Sequence, residues 1–180
     1  YLHHLGEVTY FSPLADTSLP DAGFVYLPGG YPELYLAALS ANRQMLQSIR
    51  RYVESGGKLL AECGGMMYLC DEIRDKNGDV YPMAGVLHQS ATMENMKLRL
   101  GYRTLLYNET RLKGHEFHYS RLVEQQNQLP SCAVAYTAKG VETDTPLYHY
   151  KNVWAGYTHL YWADPVGNEW FTKFVIDGNT

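Results

Sequence analysis

The sequence predicts an α/β fold: a mostly parallel open sheet flanked by helices, with an antiparallel insertion in its middle. Three observations carry this. Strand-like and helix-like segments alternate over the first 72 residues with short connections, which is the pattern of a parallel sheet covered by helices. The early strand-like runs are apolar without alternation, as expected for strands buried on both faces. The middle of the chain instead carries strand-like runs separated by hairpin-type breaks.

The elements follow in order. Tyr1-Leu2-His3-His4-Leu5 reads as the end of a helix stopped by Gly6. Glu7–Phe11 is a β-prone run closed by Ser12-Pro13, and Gly23–Leu27 is a second, fully apolar one. Pro28-Gly29-Gly30-Tyr31-Pro32-Glu33 breaks it. Helical spacing then runs over Glu33–Leu39 and Asn42–Glu54, with Leu46, Ile49 and Val53 on one stripe. After Ser55-Gly56-Gly57 comes a buried strand, Lys58–Glu62. Cys63-Gly64-Gly65 is a turn, and Met66–Asp71 begins a helix. Met83–Leu87, Lys97–Tyr107 and Gly114–Arg121 read as strands. Val153–Thr158 is a late strand expected to end at His159, and Gly167–Ile176 is a closing helix.

Composition narrows the function classes. Hydrophobic residues make up 46% of the 180, enough for a real core, so a disordered chain is excluded. No apolar run reaches the roughly 18 to 20 residues that span a bilayer, and no signal peptide is visible. The net charge is −4 and the 15 Lys+Arg are scattered, which argues against a nucleic-acid partner. Cys63, Cys70 and Cys132 are an odd count without zinc-ligand spacing, so a disulfide framework is not expected and a reducing cytoplasm is.

Chemistry concentrates at three places. In Leu59-Leu60-Ala61-Glu62-Cys63-Gly64-Gly65-Met66-Met67, a buried strand feeds a cysteine, two glycines follow, and a helix starts. That is the logic of a nucleophile elbow, where a strained backbone demands small neighbours and the helix N-terminus favours thiolate. A buried structural cysteine is the competing reading, and it suits Cys70 and Cys132 far better. Leu27–Glu33 is again strand, glycines, helix. Its backbone N–H groups could stabilise an oxyanion, although a plain tight turn explains it as well, and neither dinucleotide nor phosphate-loop spacing is present. A cysteine nucleophile needs a base, and seven histidines are available. His159, at the expected carboxyl edge of the sheet, would lie beside Cys63 and Gly30, where open α/β sheets place their sites. His115 and His118 in Gly114-His115-Glu116-Phe117-His118-Tyr119-Ser120 invite a metal reading. The zincin spacing is not met and the segment reads as strand, so no metal is expected.

With these four motifs in order, the chain resembles the glutamine amidotransferase domain of the cobyrinic acid a,c-diamide synthases, within the cobyrinate/cobyrate synthase-type, class I-like glutaminase family. The resemblance rests on Gly29–Glu33, Ala61–Leu69, Gly114–Ser120 and Tyr157–Leu160 and covers nearly the whole chain. It implies a flavodoxin-like sheet of the class I glutamine amidotransferase type and one glutaminase domain over residues 1–180. Such a domain hydrolyses glutamine and passes ammonia to an ATP-dependent amidoligase domain of the same chain. That partner uses ATP and Mg²⁺ to amidate the a and c carboxylates of cobyrinic acid in cobalamin biosynthesis, so the corrin is met only through it, and no cofactor is expected here.

By position, the resemblance makes Cys63 the nucleophile and His159 its histidine, with Gly30 and Gly64 as oxyanion-hole donors. Tyr31 and Glu33 become candidate substrate contacts. Glutaminases of this type commonly carry Glu two residues after the histidine, but that position is Tyr161 here, so either the third member is absent or Glu116 or another acid orients the imidazole. The opening without Met, and without the strand and helix that normally begin the domain, leads us to expect a C-terminal fragment lacking the amidoligase portion. Two alternatives are carried forward. One is the glutaminase module of cobyric acid synthase or of a cell-wall amidating ligase; the other is a non-catalytic docking module.

Overall fold

The computed structural model describes residues 1–126 and 128–177. Its centre is a four-stranded sheet ordered β1 (Phe24–Leu27), β2 (Lys58–Glu62), β12 (Val153–Gly156) and β11 (Leu147–Tyr150). β1, β2 and β12 run parallel, and β11 is an antiparallel edge. The apolar runs 24–27 and 58–62 form strands because both sheet faces are covered. Val25, Leu27, Leu59, Ala61, Val153 and Ala155 point into one core, with Leu46, Ile49 and Val53 from α3 (Arg43–Glu54) and Met66, Met67 and Leu69 from α4 (Gly64–Leu69). Phe24, Tyr26, Leu60 and Trp154 point into the other, against Trp170, Phe171 and Phe174 of α5 (Pro165–Asp177).

The short helix α1 (Leu2–Leu5) ends at Gly6 as expected, and the span 33–39 resolves into a 3₁₀ turn (Pro32–Leu34) and α2 (Leu36–Ala41). Asn42 caps α3, its side chain accepting the Met45 N–H at 3.3 Å.

The insertion is larger than the sequence suggested, because it builds two further sheets. β6 (Arg99–Tyr107), β7 (Thr110–His118), β9 (Val134–Thr137), β10 (Glu142–Thr143) and β13 (His159–Leu160) form a five-stranded antiparallel sheet ordered β10-β9-β6-β7-β13. Leu105, Leu112 and Ala135 on its inner face complete the α5-side core. β3 (Glu72–Arg74), β4 (Val80–Pro82), β5 (Ser90–Thr92) and β8 (Arg121–Val123) form a third, mixed sheet ordered β4-β3-β5-β8.

Three expectations are corrected. Glu7–Phe11 forms no strand; Tyr10 is exposed, and only Phe11 leans on the core. Met83–Leu87 is also not a strand, because its N–H groups are used elsewhere. Ala84, Gly85, Val86 and Leu87 donate to the carbonyls of Tyr68, Cys70 and Leu69 at 2.8–3.1 Å, satisfying the open carbonyl end of α4. The late strand ends at Gly156, not Thr158. The chain turns there, and His159 and Leu160 join β7 in the antiparallel sheet. His159 thus sits between two sheets rather than on the central one.

The turn after β2 packs against β1 with no room for a side chain. A Cβ on Gly65 would lie 2.8 Å from both the carbonyl carbon and the Cβ of Leu27. Gly65→Ala is therefore expected to lower stability by about 1–3 kcal/mol in a urea titration. Gly23→Ala, whose Cβ would meet nothing within 4 Å, should stay within about 0.5 kcal/mol of wild type.

Candidate active site

Two glycine turns, one after β1 and one after β2, meet at the carboxyl edge of the central sheet. Cys63 occupies the N-cap of α4 with φ 50° and ψ −110°, a left-handed φ that costs a non-glycine residue on the order of 1–3 kcal/mol. The fold holds it there: its N–H donates to the Gly156 carbonyl at 2.8 Å and its carbonyl accepts the Met67 N–H at 3.0 Å. Its side chain is buried, with Sγ 3.9 Å from the Phe117 carbonyl.

The His159 ring and the Cys63 side chain line the same pocket beside Gly29, and the sulfur lies near enough to favour the charged imidazole. The pocket is tight on the side of the first turn, since a Cβ on Gly29 would lie 3.0 Å from His159 Nε2 and 3.5 Å from Cys63 Cβ. Gly64 packs as closely on that turn; its Cβ would fall 2.7 Å from the Gly30 carbonyl and 2.8 Å from Pro32 Cδ. Gly30 has φ 154°, at the margin of the region that favours glycine. Cys63, His159, Gly30 and Gly64 are thus brought together as the spacing anticipated.

Tyr31 and Glu33 lie on the same turn, Tyr31 exposed and Glu33 half-buried, and neither is hydrogen-bonded to Cys63 or His159. Burial raises the Glu33 carboxyl above its usual range, partly offset by a backbone hydrogen bond.

The acid beside the imidazole is not Glu116. Glu62 Oε2 lies 3.3 Å from His159 Nδ1 and accepts the Tyr26 hydroxyl at 2.7 Å, while Oε1 accepts the Leu160 N–H at 3.1 Å. Glu62 is 3% exposed. Burial of the Tyr26 hydroxyl, with the charge and hydrogen bond of Glu62 beside it, pushes it far above its usual pKa. Glu116 meets other partners instead of the His159 ring. Oε2 pairs with Arg103 Nη2 at 3.0 Å and stands 3.8 Å from His118 Nε2, and Oε1 accepts Thr158 Oγ1 at 3.2 Å. Burial pushes this carboxyl up, but the neighbouring His118, Thr145 and Arg103 groups outweigh it and hold it below its usual range.

Glu62 went unassigned in the sequence although a signal was present. It is the one carboxylate closing an otherwise apolar strand, immediately before the cysteine.

The nearby Cys63 sulfur and Glu62 carboxylate outweigh its desolvation and lift the imidazole from 6.5 to about 9. At neutral pH the ring is therefore a cation pinned between a sulfur and a carboxylate. The other two cysteines suit structural roles. Burial drives the Cys70 thiol far up and the Cys132 thiol up to about 11. Among the described residues, no three His, Cys, Asp or Glu side chains are grouped to hold a metal ion, and no helix is long and apolar enough to cross a membrane.

Comparison with known proteins identifies the family. The chain is 39% identical over 166 residues to a hydrogenobyrinate a,c-diamide synthase of Pseudomonas aeruginosa, covering 89% of this chain and 36% of that protein. It is 40% identical over 167 residues to a cobyrinate a,c-diamide synthase of Picrophilus torridus, covering 86% and 34%. It thus spans only about a third of the length of these relatives. A crystal structure of a glutamine amidotransferase shares the fold with a TM-score of 0.56 at 16% identity, covering 85% of this chain and 78% of that one. The structure of PurLQS from Thermotoga maritima does so with a TM-score of 0.53 at 17% identity, covering 81% and 72%. The profile of the CobB/CobQ-like glutamine amidotransferase domain matches residues 2–166, and the chain belongs to that family.

Proposed function

We propose that the chain is the glutaminase part of an ATP-dependent amidoligase, hydrolysing glutamine through a thioester on Cys63. The ammonia so released serves amidation of the a and c carboxylates of cobyrinic acid. The single observation that carries the site assignment is the contact of His159 with both Cys63 and Glu62. The names of the relatives support the acceptor, and their greater length is in keeping with a further region, where ATP and Mg²⁺ would bind.

The chemistry follows from the geometry. Cys63 Sγ, its proton held by His159, attacks the glutamine δ-carbonyl, and an S–C bond forms. The carbonyl oxygen becomes an oxyanion facing the N–H groups of Gly30 and Gly64. His159 returns the proton to nitrogen as the C–N bond breaks, and ammonia leaves. Water then attacks the thioester, His159 takes its proton, and the thiolate departs to give glutamate. Glu62 sets the orientation and charge of the ring throughout, and Tyr31 and Glu33 are proposed to face the amino-acid end of the substrate.

Cys63→Ala is expected to abolish ammonia release from glutamine while the melting transition persists; retained release would overturn the assignment of the nucleophile. The ring must be cationic to deliver its proton, so activity should fall with an alkaline midpoint near 9, the value to which His159 is raised. Glu62→Gln removes the charge that favours the cation. The alkaline limb of a pH–rate profile should then move to lower pH, and kcat should drop on the order of 10²-fold as the ring loses its alignment. The stability arising from this contact follows the same sign. It is complete below the unfolded histidine value of about 6.5 and is lost as pH rises through about 9, as urea titrations at the two pH values would register.

A further inference from the structure

The Gly114–Ser120 motif takes no step in the proposed hydrolysis, yet its side chains hold Tyr157, Thr158 and His159 one by one. His115 is the register partner of His159 across β7 and β13. Its ring stacks on the His159 ring with centroids 5.2 Å apart and planes 27° apart. Glu116 accepts the Thr158 hydroxyl at 3.2 Å. His118 lies flat on Tyr157 with centroids 3.7 Å apart and planes 4° apart, and Ser120 Oγ donates to the Tyr157 hydroxyl oxygen at 3.0 Å. Gly114 completes the fit, because a Cβ there would lie 2.9 Å from the His159 carbonyl carbon.

β7 divides this work by its alternation. Glu116 and His118 point inward, where both are buried, and grip the turn, while His115 on the other face reaches the imidazole.

We propose that Gly114–Ser120 is a template for the His159 turn, in which His115 is a positioning residue that holds the His159 ring in line with Glu62 and Cys63. The Glu62 hydrogen bond fixes where Nδ1 lies and leaves the ring free to tilt. A face-stacked neighbour removes that freedom. The Nδ1 atom of His115 is buried without a hydrogen-bond partner, so its flat face rather than that nitrogen makes the contact. The groups that set the charge state of His159 are Cys63 at the start of α4 and Glu62 from β2, opposed by burial, and His115 from β7 faces the ring. Tyr26 acts through Glu62, and Tyr161 stands 5.9 Å from the His115 ring. The kinetic consequence rests on the glutaminase reading; the ring-holding claim does not.

The test compares His115→Ala with His115→Phe in the intact protein, with two readouts. One is kcat and KM for ammonia release from glutamine. The other is the titration of the His159 imidazole followed by NMR, which needs no turnover. His115→Ala is expected to lower kcat about tenfold or more with little change in KM. It should also lower the His159 midpoint by about half a unit, the shift that loss of one aromatic contact to a cation produces. His115→Phe keeps the flat face and loses only an unpartnered nitrogen, so both readouts should stay within about twofold of wild type. Should the alanine variant fail to fold, His115→Leu fills the volume without a flat face and should behave as His115→Ala was expected to.

The proposal is overturned if a folded His115→Ala or His115→Leu protein titrates His159 as wild type does. It is equally overturned if His115→Phe is as impaired as the variant without a ring. A protein that releases no ammonia at all would refute the glutaminase reading, and the His159 titration would still decide the role of His115.

Discussion

Everything at the site depends on one break in strand alternation. Glu62 and Cys63 are neighbours in sequence, and in a continuing strand their side chains would point to opposite faces of the sheet. Glu62 does follow β2, sharing with Tyr26 the face that carries α5. Cys63 does not follow, because its left-handed φ turns the chain into α4. The turn brings the sulfur and the carboxylate to the same imidazole. A strained residue survives there because its amide is tied to β12 and because Gly64 and Gly65 let β1 and its following turn close in without side chains between them.

His159 reaches this position by leaving the central sheet. β12 stops at Gly156, and two residues later the chain joins β7 of the antiparallel sheet. The insertion is therefore part of the site rather than a decoration on it. β7 supplies the Phe117 carbonyl near Cys63, the ring against His159 and the buried Glu116, which pairs with Arg103 of β6 and accepts the Thr158 hydroxyl. A charge as deeply buried as Glu116 is tolerated only because Arg103, His118 and Thr158 surround it. That requirement keeps it from serving His159 directly.

Much of this was legible in the residues themselves. The parallel core was readable because its strands are apolar on both faces, and the cysteine elbow because Gly64-Gly65 follow Cys63 at the end of such a strand. The pairing of Cys63 with His159 was also accessible, although His159 lies three residues beyond the end of the late strand rather than on it. Glu62 was not read as the orienting acid, because strand alternation argues against two adjacent side chains meeting one partner, and only the left-handed backbone at Cys63 reverses that. Met83–Leu87 has strand composition, but the open carbonyls of α4 claim its N–H groups, a tertiary demand invisible in a local pattern. The role of Gly114–Ser120 was hidden for the same reason: its partners, residues 157–159, lie about 40 positions away in the chain.

The most direct test of the Cys63–His159–Glu62 arrangement is to expose the intact protein to an electrophilic glutamine analogue at neutral pH and map the adduct by mass spectrometry. A single adduct on Cys63, slowed strongly by His159→Ala and blocked by excess glutamine, is the expected result. Equal labelling of Cys63 and Cys132, or labelling indifferent to glutamine and to His159, would contradict a sulfur activated by that imidazole.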